Sequence, residues 1–590
     1  MRQRKATASS RVNRDEMRST STWFALRNPA FCRVWLSSLL AGTVVSTQDM
    51  TATWLMHDLD ASPLFLSLMA TASSAPFFLC TLPAGAIADI VNRRLVIVSA
   101  VLWQGACVAL LALGAWTRLV SAHSLLACIF ALGIGLALGA PVWGAIVPDI
   151  VGKDELPSAV TLGGVQINLS GIVGPSLGGF LLPLLQAPLL ISVNALAFVI
   201  VALVILPLRP REKHPTELRE NLTESFISSL RYARNSRRMK IILFRNILFS
   251  LVISIVPALL PVIALKEMDC SATQLGLVFT SVAVGSLAGA LIALPYLRRR
   301  ISANAITSLA MAIVAVAMLA MAFIRQVPAL MACAALAGVA WALAGSEIWV
   351  AGQRVMPGWV RGRMSAFLIM LGQGSMAVGA LFWGTGVAHA GLNVTFAAAA
   401  PIALVGLALG HRFSINFAAE ASVEAAPLDH LHDLSMVPRP DDGPIRITIE
   451  YVIANEHRER FRVLMQEVQA TCRRNGAFQC RLDESLDQPG LFHLEYLVSS
   501  WAEHLRQNGR MTVDETRIFG MAWNLHSGES APIIRHFLST QRIMQLPGFG
   551  LSGRTFADTS SSSSPSLIIT SPRQPHDRFE PAAQRLMRTG

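Results

Sequence analysis

Residues 159–185 read AVTLGGVQINLSGIVGPSLGGFLLPLL, a stretch without a single Asp, Glu, Lys or Arg. At about 1.5 Å per residue, a helix of this length exceeds the roughly 30 Å hydrocarbon core of a bilayer. Its two amides, Gln166 and Asn168, and its few hydroxyls are too sparse to solvate a face, so the segment reads as a membrane span. Comparable runs fall at 31–56, 64–88, 95–117, 123–147, 188–208, 239–265, 273–297, 302–324, 328–350, 364–388 and 391–411, twelve in all with the first. The expected fold class is an all-α polytopic membrane protein over the first 410 or so residues. Composition agrees: of 590 residues 53% are hydrophobic and 15% charged, with mean hydropathy +0.49. Ordinary soluble proteins carry about 25% charged residues.

The net charge of +12 raises the question of nucleic acid, and the position of the basic residues answers it. With the N-terminus inside, the inner segments hold Arg27, Arg33, Arg93, Arg94, Lys153, the basic stretch from Arg209 to Lys240, Arg298 to Arg300, Arg354, Arg361 and Arg363. The outer loops hold only Arg118, Lys266 and Arg325. That asymmetry is the positive-inside pattern of a cell-membrane protein with both termini cytoplasmic. The partners implied are the lipid bilayer and no nucleic acid. The first apolar run lacks a convincing cleavage site and is read as a retained helix, not a signal peptide. Cys80, Cys107, Cys128 and Cys333 sit within apolar runs and read as small packing residues.

Sliding the chain by 207 residues lays Asn28 on Asn235, Arg33 on Lys240, Ser158-Ala159 on Ser365-Ala366 and Gln166 on Gln373. Two regions sharing one offset imply two six-helix halves. The expected order is a basic N-terminus (1–28), a six-helix bundle (29–208), a basic central loop (209–238) and a second bundle (239–412). A Pro-bearing linker (413–443), an α+β module (444–540) and a disordered tail (541–590) follow. In the module, 445–454, 478–486 and 492–498 pattern as strands, 458–474 as an amphipathic helix, and 501–507 opens a second helix.

Between the second and third runs stands Gly85-Ala-Ile-Ala-Asp89-Ile-Val-Asn-Arg93-Arg94, and in the fifth Gly174-Pro175-Ser-Leu-Gly178-Gly179. The first resembles the loop signature of the major facilitator superfamily, although Ile90 and Asn92 depart from it. The second resembles the antiporter signature of exporting members, with Ser170 in place of an upstream Gly. Pro357-Gly-Trp-Val-Arg-Gly-Arg363-Met-Ser-Ala366, Gln373-Gly and Arg27-Asn28-Pro29 are similar to the subfamily containing the enterobactin exporter and related secretion effectors. Ser500-Trp501-Ala-Glu-His504-Leu-Arg506-Gln507 resembles a C-terminal extension related to the antibiotic-biosynthesis monooxygenase fold. These resemblances imply a twelve-helix major facilitator fold plus a ferredoxin-like α+β domain that self-associates, and export of a siderophore- or drug-like small molecule. They make Gly85, Asp89, Arg93 and Arg94 a conformational-switch loop, for which a simple topology anchor is the plainer reading of the two arginines. No residue of the module is carried over as catalytic, so the chain is read as no enzyme.

Ionisable groups inside a membrane cost roughly 2.5–3.5 kcal/mol on insertion scales and are functional candidates for that reason. Asp49 and Glu347 are the acids well inside apolar runs, and both are candidates for proton coupling. Asp49 shares a helical face with Thr53 and Met56; the alternative is an acid bonded to helix backbone. Glu347 alternatively pairs with Arg354. Thr53, Gln166 and Gln373 are candidate cavity residues, although bridging between helices is the commoner fate of such amides. No phosphate loop is present and no cofactor or metal site is expected; His430-Leu-His432 lies in the linker and reads as solvated. The function expected is secondary active export by proton antiport; the alternatives are a tethered monooxygenase-like enzyme and a uniporter or importer.

Overall fold

A computed structural model describes residues 23–90, 92–152, 154–208, 222–416, 436 and 438–538; at 82, 85–90, 145 and 222–228 only the backbone is described. The N-terminal residues 1–22, most of the linker with His430 and His432, and the tail from 539 lie outside the described residues.

The first helices are α1 (Pro29–Asp58), α2 (Pro63–Ile90), α3 (Arg93–Trp116), α4 (Ala122–Ile150) and α5 (Leu156–Ile205). After α6 (Leu222–Asn235) come α7 (Arg237–Ile253) and its continuation α8 (Ile255–Val262), then α9 (Ala272–Ala288) and its continuation α10 (Leu294–Arg298). The series ends with α11 (Ala303–Phe323), α12 (Val327–Val355), α13 (Arg361–Ala390) and α14 (Leu392–Arg412). Among the described residues, eleven helical segments are long and apolar enough to cross a bilayer. The sequence reads one run more, and α5 accounts for the difference. Its 50 residues would extend about 75 Å as one rod. At Gln186 the backbone leaves the helix (φ 60, ψ 159), so the apolar runs 159–185 and 188–208 lie on either side of a break.

Caps fix where the helices begin. Asn28 accepts from the backbone N–H groups of Ala30 and Phe31 while Pro29 occupies the first turn, where its missing donor costs nothing. Ser121 with Ser124, and Ser271 with Gln274, close reciprocal capping boxes on α4 and α9. The chain reverses at the Gln186 break, since Gly178 before it and Asn194 after it both lie against α1, at Met50 and Gln48. The turns near residues 60, 119, 186, 269, 325 and 391 accordingly lie at one end of the bundle, here the far side. Those near 91, 153, 301 and 358, and the chain beyond Arg412, lie on the near side. Within the first half α1 packs on α5 and α2 on α4; within the second, α9 packs on α12 and α11 on α14. Between the halves, α2 packs on α13 and α5 on α9.

The C-terminal module contains β1 (Ile445–Val452), α15 (Arg458–Asn475), β2 (Gln479–Glu484), β3 (Leu491–Val498), α16 (Trp501–Arg510), α17 (Val513–Trp523) and β4 (Ile533–Leu538). The four strands form one antiparallel sheet in the order β2-β3-β1-β4. Alternation along β1 turns Ile445, Ile447, Ile449 and Tyr451 into a core shared with Phe461, Met465 and Val468 of α15. The three strands and two helices read from the sequence are present; α17 and β4 are additions to that reading.

Candidate functional site

Asp49 stands about two-thirds of the way along α1 and is exposed, although its neighbours Gln48 and Met50 are buried. Its side chain lines a small recess with room for about two or three waters, together with Gln48, Ser73, Gln104, Leu132 and Phe198. Part of the polar wall is held by an amide pair: Asn194 donates to Gln48 Oε1 at 3.1 Å, and Gln48 Nε2, itself buried, finds no acceptor among the described residues. No Lys, Arg or His pairs with the Asp49 carboxylate among the described residues. An acid facing a water-sized space with no cation beside it can load and release a proton, because neither state is locked by a partner. Thr53, on the same face, behaves differently: it is buried, and its hydroxyl donates to Asp49 O of its own helix at 2.7 Å.

Gly174, Pro175, Gly178 and Gly179 form a junction of three helices. A Cβ on Gly174 would strike Ser46 of α1, and one on Gly178 would lie 3.1 Å from Met50 Sδ. Gly179 turns the other way: its Cβ would meet Ala272 O at 2.9 Å and Gly276 Cα at 3.0 Å on α9. The glycines therefore let α5 approach α1 within its own half and α9 across the seam, as small residues do where helices meet in lipid. Hydroxyls stitch that seam: Ser176 Oγ lies 2.8 Å from Thr280 Oγ1, and Thr273 Oγ1 donates to Gly179 O at 3.1 Å. On the other flank Thr71 Oγ1 donates to Ala377 O at 3.1 Å, and at the far-side rim Lys266 Nζ pairs with Asp60 at 3.0 Å. Gln166 is drawn into packing, donating to Ser38 O at 3.0 Å and to Ser170 Oγ at 3.2 Å. Gln373 is half-buried on α13.

On the near side, Arg93 pairs with the buried Asp149 at the end of α4, and Arg94 Nη1 donates to Leu208 O at 3.2 Å. Both arginines thus staple α3 to its neighbours. Of Gly85 and Asp89, at the end of α2, only the backbone is described. Glu347 is buried and pairs with Arg298 Nε at 2.6 Å, not with Arg354. The pair is made across helices because α10 ends beside α12, a neighbour that spacing along one helix does not reveal.

The motif at 500–507 builds the docking face of the module. Ser500 caps α16, and Trp501, Glu503, His504, Gln507 and Arg510 are all buried. Three arginines converge on Glu503: Arg510 at 2.8 Å, Arg506 at 2.9 Å and, from α6, Arg231 at 3.7 Å. Arg231 also donates to Gly476 O at 2.9 Å. The Arg510 guanidinium lies 4.7 Å over the ring of Trp359, in the turn between α12 and α13, whose other edge meets Tyr232 of α6. The module is therefore fastened to the near-side turn ahead of α13. His504 Nε2 sits 3.2 Å from His536 Nε2. Burial, then the neighbouring His536, push the His504 imidazole down to about 4, against a smaller opposing pull from Gln507.

Sequence reading missed Gln48, Asn194, Gly276 and Arg245. Arg245 carried a usable signal, a lone charge inside the apolar run 239–265, which is the criterion that singles out Asp49.

Residues 20–544 match the family described as transmembrane secretion effector. The multidrug efflux pump Tap of Mycobacterium tuberculosis is 26% identical over 441 residues, covering 71% of this chain and 98% of that protein. The enterobactin exporter EntS of Salmonella typhi is 25% identical over 268 residues, covering 45% of this chain and 63% of that one. Among solved structures, a bacterial homologue of the human lysosomal transporter Spinster, inward-facing and unoccupied, aligns with a TM-score of 0.53. The alignment covers 66% of this chain and 97% of that one at 16% identity, a likeness of fold.

Proposed function

The chain belongs to the transmembrane secretion effector family of the major facilitator superfamily, and from that premise we propose that it exports a small molecule by alternating access, with Asp49 carrying the coupling proton. It is a multi-pass membrane transporter and not an enzyme. In this scheme the break at Gln186 returns the chain, making twelve crossings in two bundles of six with both termini cytoplasmic. The observation that carries it is the seam. Gly179 and Gly276 bring α5 and α9 into backbone contact, and the hydroxyl bonds and the Asp60–Lys266 pair close the halves toward the far side. A seam of small residues and exchangeable hydrogen bonds is one that opens without exposing large apolar surface.

Asp49 supplies the coupling in this scheme because it is the membrane-depth acid left without a cation, whereas Glu347 is committed to Arg298. The cargo class is amphipathic and siderophore- or drug-like, in keeping with relatives named as a multidrug efflux pump and an enterobactin exporter. The strand order β2-β3-β1-β4, with helices after β1 and β3, supports a ferredoxin-like reading of the module, whose role is regulation or self-association. The test uses the full chain in vesicles with an imposed pH gradient and ethidium as an amphipathic probe. Asp49→Asn is expected to abolish gradient-driven efflux while Asp49→Glu retains it; undiminished coupling in Asp49→Asn removes Asp49 as the carrier.

A further inference from the structure

Arg245 is 5% exposed, and no carboxylate pairs with it among the described residues. Its guanidinium is held by neutral acceptors only: Nη1 donates to Asn304 Oδ1 at 3.2 Å and to Gly410 O, and Nη2 donates to Thr307 Oγ1. These bonds use three of the five N–H donors of a group that stays protonated at any physiological pH. A buried charge without a counter-charge is costly even after the surroundings relax. The last-turn carbonyl of α14 supplies only a partial negative charge against it.

Beside the guanidinium lies a recess open at its mouth, with enclosed room for about one oxygen atom, whose wall includes Phe249, Ser308, Ala344 and Ile348. Ser308 is half-buried and its hydroxyl has no protein partner among the described residues, so a donor and a cation face one space. Glu347, next to Ile348 on α12, would repel an anion, but Arg298 neutralises it. The site is shallow. Gly410 is in the last turn of α14, Thr307 about one turn into α11 and Arg245 about two turns into α7, all measured from the near-side ends. Lys240 in the first turn of α7 and Arg412 at the end of α14 are exposed at those same ends and add positive charge there.

We propose that Arg245, with Ser308, forms a binding site for a phosphate oxyanion at the near-side membrane boundary, filled by the headgroup of an anionic phospholipid. A phosphate oxygen would complete the charge balance of Arg245 and accept from Ser308, while the acyl chains follow the apolar surface of α11 and α14. Basic pockets between helices at this depth take anionic headgroups by the same electrostatics. Free phosphate offers the same oxyanion without the chains, so the two sources are separable.

The full chain is purified in mixed micelles, and native mass spectrometry measures retention of phosphatidylglycerol against phosphatidylcholine, with inorganic phosphate as a parallel arm. Wild type is expected to retain phosphatidylglycerol selectively, and Arg245→Met to weaken that retention about ten- to a hundredfold, as expected for lost bonds to a charged group. Ser308→Ala, which leaves the buried cation in place, is expected to weaken it about fivefold and covers the case in which Arg245→Met does not fold. Displacement by inorganic phosphate alone, lost in the same variants, assigns the oxyanion site to the free ion and overturns the lipid headgroup. Retention of phosphatidylglycerol unchanged in Ser308→Ala and in a folded Arg245→Met overturns the site itself.

Discussion

The 207-residue offset read from the sequence lays one half of the membrane region on the other, and yet the two halves place charge in opposite ways. The first half leaves an acid, Asp49, facing a recess with amides for neighbours and no cation. The second half buries its cation, Arg245, among neutral acceptors and ties its acid, Glu347, to Arg298. Packing is what the halves share: glycine-mediated contacts between long apolar helices recur in both. Chemistry is what they divide. A group that must gain and lose a proton has to reach water, and a group that anchors a boundary does not. The recurrent scaffold therefore says where helices go, and the departures from recurrence say what each half does.

The largest expected effect tests that division directly. Asp49→Asn is expected to reduce gradient-driven efflux to the leak level, whereas Glu347→Gln, which releases Arg298 to water, is expected to leave the proton stoichiometry unchanged. Proton flux measured alongside ethidium efflux distinguishes them. Loss of coupling in Glu347→Gln with coupling intact in Asp49→Asn would invert the comparison.

How much of this contrast is legible in the sequence follows from what kind of contact each part needs. Helix positions are written in runs of apolar residues, because a bilayer leaves the backbone few other ways to satisfy itself. The caps at Asn28 and Ser121 are local and equally readable. Asp49 stands out as a charge in an apolar run. Its surroundings do not: Gln48 and Asn194 are 146 positions apart and meet only in the fold. Glu347 likewise finds Arg298 and not the nearer Arg354, because the partner is chosen by how α10 ends against α12. Thr53 shows the limit of face arguments, since a shared face does not tell which hydroxyl bonds back to its own helix.

A second expected effect concerns the module, which treats charge in a third way by keeping an ionisable ring neutral. The folded value of His504 near 4 lies below the ordinary histidine value of 6.5. Between those values the unfolded chain binds more protons, so stability is fully present above about pH 6.5 and falls as pH drops toward 4. The loss is on the order of 3 kcal/mol at pH 4. Hydrogen exchange of α16 in the full chain, corrected for intrinsic rates, is expected to accelerate over this window, and His504→Gln to flatten the slope. An unchanged slope in that variant assigns the acid sensitivity to other groups.

Glycines inside a half and glycines between halves separate scaffold from movement. A Cβ on Gly338 of α12 would strike the backbone of α9 within the second half, whereas Gly179 faces α9 from the first half. Overpacking typically costs about 1–3 kcal/mol. Gly338→Leu is expected to lower thermal stability without changing which side of the protein is open. Gly179→Leu is expected to shift the population toward far-side access, read by labelling of a single cysteine placed at Ser281 on the seam helix. Equal labelling in both variants would mean that α5 and α9 do not form the moving seam.

The smallest expected effect links the module to the halves. Trp359 lies between Arg510 of the module and Tyr232 of α6, in the turn from which α13 departs toward its contact with α2. A cation–π contact of this kind contributes about 1 kcal/mol at a partly exposed site. Trp359→Ala is therefore expected to raise hydrogen exchange of α16 about fivefold while leaving α15 and the sheet unchanged. If the module only rests on the transporter, efflux is unaffected. If it restrains α13, the same substitution changes the efflux rate with Asp49 intact and the proton stoichiometry constant, a split that separates a brace on the cycle from a part of the coupling. Arg510→Lys sharpens the point: it keeps the charge facing Glu503 but gives up the flat guanidinium that stacks on Trp359. An effect equal to that of Trp359→Ala locates the restraint in the stacked pair, and a null effect locates it in the charges gathered on Glu503.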